Sequence, residues 1–218
     1  MTEPDDGVET VWPGGPLPDS PLPLLAAWLA EARAHEAIRN PDAMALATVD
    51  AENHPQVRFV LCRGVDLPRA CFTFYTNEES TKGRELTRHP RASAAFYWEP
   101  LGRQIRITGP VGKASAADSD AYFATRERLS QLAAWASAQS QSIAHRSALE
   151  ARLEAMRRRF GDAPIPRPPH WGGFVLSARS IELWSSRAGR LHDRARWVRG
   201  ENVEGVAGTT WQGCRLQP

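Results

Sequence analysis

Residues 181–194 read Ile181-Glu182-Leu183-Trp184-Ser185-Ser186-Arg187-Ala188-Gly189-Arg190-Leu191-His192-Asp193-Arg194. The stretch opens as a strand, because Ile181 and Leu183 alternate with Glu182 and Trp184. Small polar residues and Gly189 then break the pattern into a turn. The spacing predicts a second strand with Arg190, His192 and Arg194 on one side, since side chains two apart share a face. An imidazole between two permanent cations, with a tryptophan across the turn, suits an anionic planar ligand. Guanidinium forks bind phosphate or carboxylate, and histidine exchanges a proton near neutral pH. The same residues also read as a hairpin with a solvated basic edge.

Working outward, the chain supplies many more short strands. Ala43 to Val49, Gln56 to Arg63, Ala70 to Thr76, Ala92 to Trp98 and Gln104 to Lys113 are rich in Val, Ile, Phe and Thr, with turn residues between them. Asp50 to Pro55 and Gly64 to Pro68 read as hairpin connections. Downstream lie Gly172 to Ser177, Leu191 to Arg199 and Trp211 to Leu216. Helices are expected over Leu22 to Ala37, from Ser80 to His89-Pro90, from Ser115 (capped by Ser115 with Asp118) to Arg126, over Leu129 to Ala138 and over Ser142 to Phe160. Pro164 to Pro169 is a stiff connector. Many short strands with helices packed outside argue for a closed antiparallel barrel, because closure removes exposed edges. Residues 1–20 are acidic and rich in Pro and Gly and are expected to form a flexible arm. Residues 21–218 are expected to form a single domain.

The chain has 218 residues, of which 42% are hydrophobic and 24% charged, enough for one sizeable core. A net charge of +2 argues against a nucleic-acid partner. Cys62, Cys71 and Cys214 show neither a disulfide framework nor metal-ligand spacing, so no metal is expected and a reduced cytoplasmic setting fits. No stretch approaches the roughly 20 apolar residues of a membrane span. The first basic residue is Arg33, so the basic opening of a signal peptide is also missing.

Four further segments concentrate anion-binding groups. In Arg58-Phe59-Val60-Leu61-Cys62-Arg63, alternation puts Arg58, Val60 and Cys62 on one face and Phe59, Leu61 and Arg63 on the other. This is also how a core strand with solvated ends looks. Tyr75-Thr76 followed by Ser80, Thr81 and Lys82 places hydroxyls and an ammonium at a helix start, a ready phosphate site or a plain N-cap. Arg103-Gln104 and Gln139-Ser140 offer paired donors and acceptors that suit a flavin or nucleobase edge, or a polar surface. Tyr122 and Arg126, four apart, meet on one helix face, with Ser130 beyond; they make a phosphate clamp or a surface stack. Arg157-Arg158-Arg159 reads as a solvated helix end.

Taken in this order, these segments resemble the pyridoxamine 5′-phosphate oxidase family from about Ala43 to Pro218. The resemblance implies an FMN-binding split β-barrel, a Greek-key antiparallel barrel that is usually homodimeric with the flavin at the subunit interface. It assigns FMN contacts to Arg58, Phe59, Val60, Leu61, Cys62, Arg63, Tyr75, Thr76, Thr81, Lys82, Gln104, Gln139, Ser140, Trp184 and Arg194. It assigns the substrate phosphate to Arg63, Tyr122, Arg126 and Ser130, and makes Arg190 and His192 the catalytic pair over the substrate ring. The implied reaction is oxidation of pyridoxine or pyridoxamine 5′-phosphate, with O2 as final acceptor. A phenazine-forming relative of the same fold, or a flavin-binding protein without turnover, are the alternatives. Three departures stand out: Arg63 replaces the family's lysine, Thr81 replaces an arginine before Lys82, and the N-terminal arm lacks the family's Arg-x-x-Tyr segment.

Overall fold

The structure, a computed structural model, describes Trp12, residues 15–200 and residues 210–218. Its strands are β1 (Ala43–Val49), β2 (Pro55–Asp66), β3 (Cys71–Asn77), β4 (Arg91–Trp98), β5 (Arg103–Lys113), β6 (Trp171–Ser177), β7 (Ser180–Ser185), β8 (Asp193–Arg199) and β9 (Trp211–Leu216). Its α-helices are α1 (Leu22–Ala34), α2 (Thr81–Arg88), α3 (Ala116–Ala124), α4 (Arg128–Ala136) and α5 (Arg146–Phe160).

All pairings are antiparallel, in the order β4-β1-β2-β3-β6-β5-β7-β8-β9, and β4 also pairs with β5. That extra pairing closes six strands into the expected barrel and leaves β7, β8 and β9 as an extension. The split lies along one edge of β5. Arg103 to Thr108 pair with β7, whereas Val111 to Lys113 pair with β6. Gly109 sits between the two runs, and a Cβ there would lie 1.9 Å from the Ser177 carbonyl oxygen. Only glycine lets the diverging strands approach so closely.

Alternation fills the barrel. Phe72, Phe74, Phe96, Ile105, Ile107 and Leu183 point inward and are fully buried, each contributing about 1.5–3 kcal/mol by leaving water. α1 adds Leu24, Leu25, Trp28, Leu29 and Ala32, which recur along one helix face.

Several boundaries differ from the sequence reading. α1 ends at Ala34 rather than Ala37, with His35 already extended. β2 runs on to Asp66 through a register shift between Cys62 and Gly64, so Gly64 belongs to a strand rather than a hairpin loop. α3 stops at Ala124 and α5 starts at Arg146. The expected flexible arm is packed where it is described. Trp12 is buried against Trp28 and Trp197, Leu17 packs on the core, and the Trp197 indole donates to the Pro18 carbonyl at 2.9 Å. A single tryptophan offers more apolar surface than the surrounding Pro/Gly composition suggests. Residues 1–11, 13 and 14 lie outside the described residues.

Candidate active site

A cleft of about 730 Å³ opens between the outer face of β2, the end of β3, the start of α2 and the α3–α4 turn. Phe59, Leu61 and Arg63 line it from the solvent-facing side of β2, and Val60 also borders it. Phe59 is 76% exposed, an apolar ring with nothing over it in the single chain. Arg58 and Cys62 point the other way. The Cys62 thiol donates to the Gly64 carbonyl at 3.4 Å, and burial pushes its pKa up to about 11. It is therefore a packing group rather than a cleft ligand.

One end of the cleft is built by β3 and α2. Ser80 caps α2 by accepting from the Gly83 amide. Lys82 Nζ donates to Gln139 at 2.9 Å, Thr76 at 3.2 Å and Ser80 at 3.3 Å, all neutral oxygens. Burial, and then the nearby Arg58 charge, lower the ammonium pKa, while Glu85 opposes both. Arg58 itself is tied inward, with Nη2 on Glu85 at 2.9 Å and Nη1 on Thr48; Thr48 in turn donates to Glu85 at 2.5 Å. Thr81 and Ser140 are exposed and do not line the cleft, and Ser140 adopts a left-handed φ of 71°.

The other end is built by α3 and α4. Tyr122 projects from α3, Ser130 from the first turn of α4, and Arg126 from the turn between them. The expected helical Tyr122–Arg126 pairing is thus replaced. Past Ala124 the chain turns, with the Arg126 amide bonded to the Phe123 carbonyl at 3.2 Å. The Arg126 guanidinium carbon lies 4.9 Å from the Trp171 ring centre and 5.5 Å from that of Phe123. Its Nη1 is buried with no hydrogen-bond partner, and burial lowers its pKa, against the effect of Tyr122.

A second cluster lies on the β-extension. Cross-strand register puts Tyr97, Gln104, Trp184, Arg194 and Leu216 in one row across five strands. Two residues along, Glu182 is buried and takes Arg194 Nη2 at 2.8 Å and Nε at 3.1 Å on one oxygen, and Arg106 at 3.1 Å on the other. Arg194 also donates to the Gln217 carbonyl at 2.9 Å. Gln104 therefore sits with Trp184 and Arg194, not with Gln139, which belongs to the cleft.

The expected strand carrying Arg190, His192 and Arg194 is only partly formed. β8 begins at Asp193; Arg190 lies in an exposed 3-10 turn with φ of 62°, and Gly189 beside it has φ of 66°. Two successive left-handed residues cannot continue a pleated strand. His192 reaches the Trp184 ring at 4.6 Å and accepts from the Arg187 amide at Nδ1, 3.1 Å away.

Sequence reasoning missed Trp171, Glu85 and Glu182. A Trp-Gly-Gly strand start signals close approach to a neighbour. For Glu182 the signal was a lone carboxylate sharing a strand face with Trp184. Glu85 had no local signal.

The closed six-strand barrel with its three-strand extension defines a split-barrel protein. Comparison with known proteins places it further. The family model for pyridoxamine 5′-phosphate oxidase matches residues 30–160, and that for the pyridoxine 5′-phosphate oxidase C-terminal dimerisation region matches residues 171–218. The chain belongs to the pyridoxamine 5′-phosphate oxidase family. It is 48% identical over 200 residues to a pyridoxine/pyridoxamine 5′-phosphate oxidase of Azorhizobium caulinodans, covering 92% of this chain and 91% of that one. It is 51% identical over 199 residues to the Bordetella pertussis protein of the same name, covering 91% and 90%. The crystal structure of PhzG from Burkholderia lata 383, in complex with tetrahydrophenazine-1-carboxylic acid, superposes with a TM-score of 0.81 at 33% identity, covering 92% of this chain and 94% of that one. Among the described residues, no helix is long and apolar enough to cross a membrane.

Proposed function

We propose that the protein oxidises pyridoxine 5′-phosphate and pyridoxamine 5′-phosphate with FMN as cofactor and O2 as final acceptor, giving pyridoxal 5′-phosphate and H2O2, with water consumed and ammonia released when the substrate is the amine. The observation that carries this reading is the cleft itself. It has an ammonium surrounded by neutral oxygens at one end and an unpaired guanidinium at the other, room for two phosphates. Lys82, Thr76, Gln139 and the start of α2 fit the flavin phosphate, because nothing anionic is bonded to Lys82. Arg126, Tyr122, Ser130 and Arg63 fit the substrate phosphate. Arg58 contributes charge from behind this site, with one face of its guanidinium committed to Glu85.

The Gln104–Trp184–Arg194 row and the Arg190–His192 turn line no part of this cleft. A homodimer supplies them: a second copy lays its row and turn over the exposed β2 face of the first. The match of residues 171–218 to a dimerisation region and the exposed Val57, Phe59 and Leu61 support this. Gln104, Trp184 and Arg194 would then hold the flavin ring. Arg190 and His192 would orient the substrate so that its C4′ faces the flavin, an effect of positioning. FMN held by these residues would supply a two-electron acceptor for the substrate's hydride, with O2 as the final oxidant. The thiol usage suggests a cytoplasmic setting.

The similarity to PhzG favours a second reading, a larger phosphate-free aromatic substrate. The complete Tyr122, Arg126 and Ser130 set and the 48–51% identities to pyridoxine/pyridoxamine 5′-phosphate oxidases argue against it. The test is a visible spectrum of the purified protein, followed by pyridoxamine 5′-phosphate without oxygen. A yellow protein that bleaches is expected. A protein that stays colourless in FMN, or stays yellow with the amine but bleaches with a reduced phenazine, reverses the assignment.

A further inference from the structure

We infer that Trp171 is the positioning residue that orients Arg126 with a ring face in place of a carboxylate, so that the cleft selects a phosphorylated substrate. The inference rests on the proposed role of Arg126 as a phosphate ligand. Most buried or half-buried guanidiniums in this chain are fixed by carboxylates: Arg58 by Glu85, Arg194 by Glu182, Arg167 by Asp120. Arg126 has no ion pair or side-chain hydrogen bond among the described residues. What holds it is the face of Trp171 at 4.9 Å, with Phe123 beside it.

The difference has a chemical consequence. A carboxylate would occupy N–H donors and cancel the charge that an incoming dianion needs. An aromatic face attracts the cation through its ring quadrupole and takes no donor. Arg126 thus gives no N–H group to a protein acceptor, although its Nη1 lies buried without a partner. Such an orphan costs stability, which marks the guanidinium's placement as one that packing alone does not favour.

Trp171 is built to be immobile. It is 6% exposed and heads β6, opposite Asn77. Its carbonyl accepts from Arg167 Nη1 at 2.5 Å, while Arg167 Nε binds Asp120 on α3 at 2.6 Å. Its ring also lies nearly parallel to Tyr75 (5.5 Å, 7°) and Tyr122 (6.1 Å, 8°), which stack on each other at 4.1 Å. Tyr75 belongs to the strand that leads to Lys82, and Tyr122 to the opposite end of the cleft. One ring therefore registers Arg126 against both ends.

The test compares Trp171→Leu and Trp171→Phe in the full-length, flavin-loaded protein, each alone and combined with Arg126→Ala. Trp171→Leu should raise KM for pyridoxine 5′-phosphate about tenfold, and the Ki of inorganic phosphate in parallel, with kcat within about twofold. Trp171→Phe, which keeps a ring face, should raise KM only about threefold. Neither should raise KM further once Arg126 is alanine. An unchanged KM in both Trp171 variants, with KM raised by Arg126→Ala, overturns the inference. So does an equal rise in both backgrounds, which would mark general packing. An unchanged KM in Arg126→Ala alone instead overturns the phosphate-ligand reading beneath it. Should Trp171→Leu fail to fold, the Trp171→Phe comparison in the two backgrounds decides alone.

Discussion

Arg194 on β8 and Arg126 after α3 are both partly buried guanidiniums assigned to one site, and their surroundings differ in kind. Arg194 gives two of its nitrogens to the buried Glu182 and a third to the Gln217 carbonyl. Arg126 meets only aromatic faces. The first arrangement is a brace that fixes Arg194 in its row beside Trp184, with its charge already balanced by Glu182. The second leaves a full charge and an unsatisfied donor, suited to an anion that comes and goes. A guanidinium's counter-group, more than its exposure, separates the two tasks: a carboxylate fixes both position and charge, while a ring fixes position alone.

Three measurements would break or sharpen that contrast. The largest expected effect is Arg126→Met. It should raise KM for pyridoxine 5′-phosphate about 30- to 100-fold, the scale of lost charge-assisted hydrogen bonds. Urea unfolding of the same variant should stay within about 0.5 kcal/mol of the parent, because the guanidinium makes no ion pair or hydrogen bond and a methionine thioether still packs on the Trp171 and Phe123 rings; a large loss of stability would make Arg126 a brace as well. Next is Glu182→Leu. Losing a buried carboxylate shared by Arg106 and Arg194 should destabilise the chain by about 2 kcal/mol, less than for a fully buried pair because both arginines reach solvent. An unfolding midpoint equal to the parent's would remove the brace from the comparison. The smallest is Gly173→Ala. A Cβ there would lie 2.8 Å from the Tyr75 ring and 2.7 Å from Ala114. About 1–2 kcal/mol of overpacking is expected, with a KM rise of a few-fold as the Tyr75–Tyr122 wall shifts. A neutral effect on both would show that the wall tolerates displacement.

How far the site was legible differs from element to element. Tyr75, Thr76, Ser80 and Lys82 were readable together because a strand end and the helix after it are close in the chain. Tyr122, Arg126 and Ser130 were readable as a group, though not in their geometry, since the helix ends at Ala124 and Arg126 is held by a tryptophan 45 positions away. Amide chemistry alone groups Gln104 with Gln139, whereas β5–β7 pairing places it beside Trp184. Period-two spacing puts Arg190 and His192 on one strand face, and two left-handed residues, Gly189 and Arg190, interrupt it.

Taken alone, the amino-acid order settled what is local. It settled which runs are strands and which are helices, and which side chains of an unbroken strand such as β2 share a face. Periodicity within a few residues encodes all of these. Partner choice needed the folded chain. Closure of β4 on β5, the row of Tyr97, Gln104, Trp184 and Arg194, and the counter-groups of each arginine join residues tens of positions apart. No local pattern specifies such contacts, because they arise from how barrel and extension divide one edge of β5.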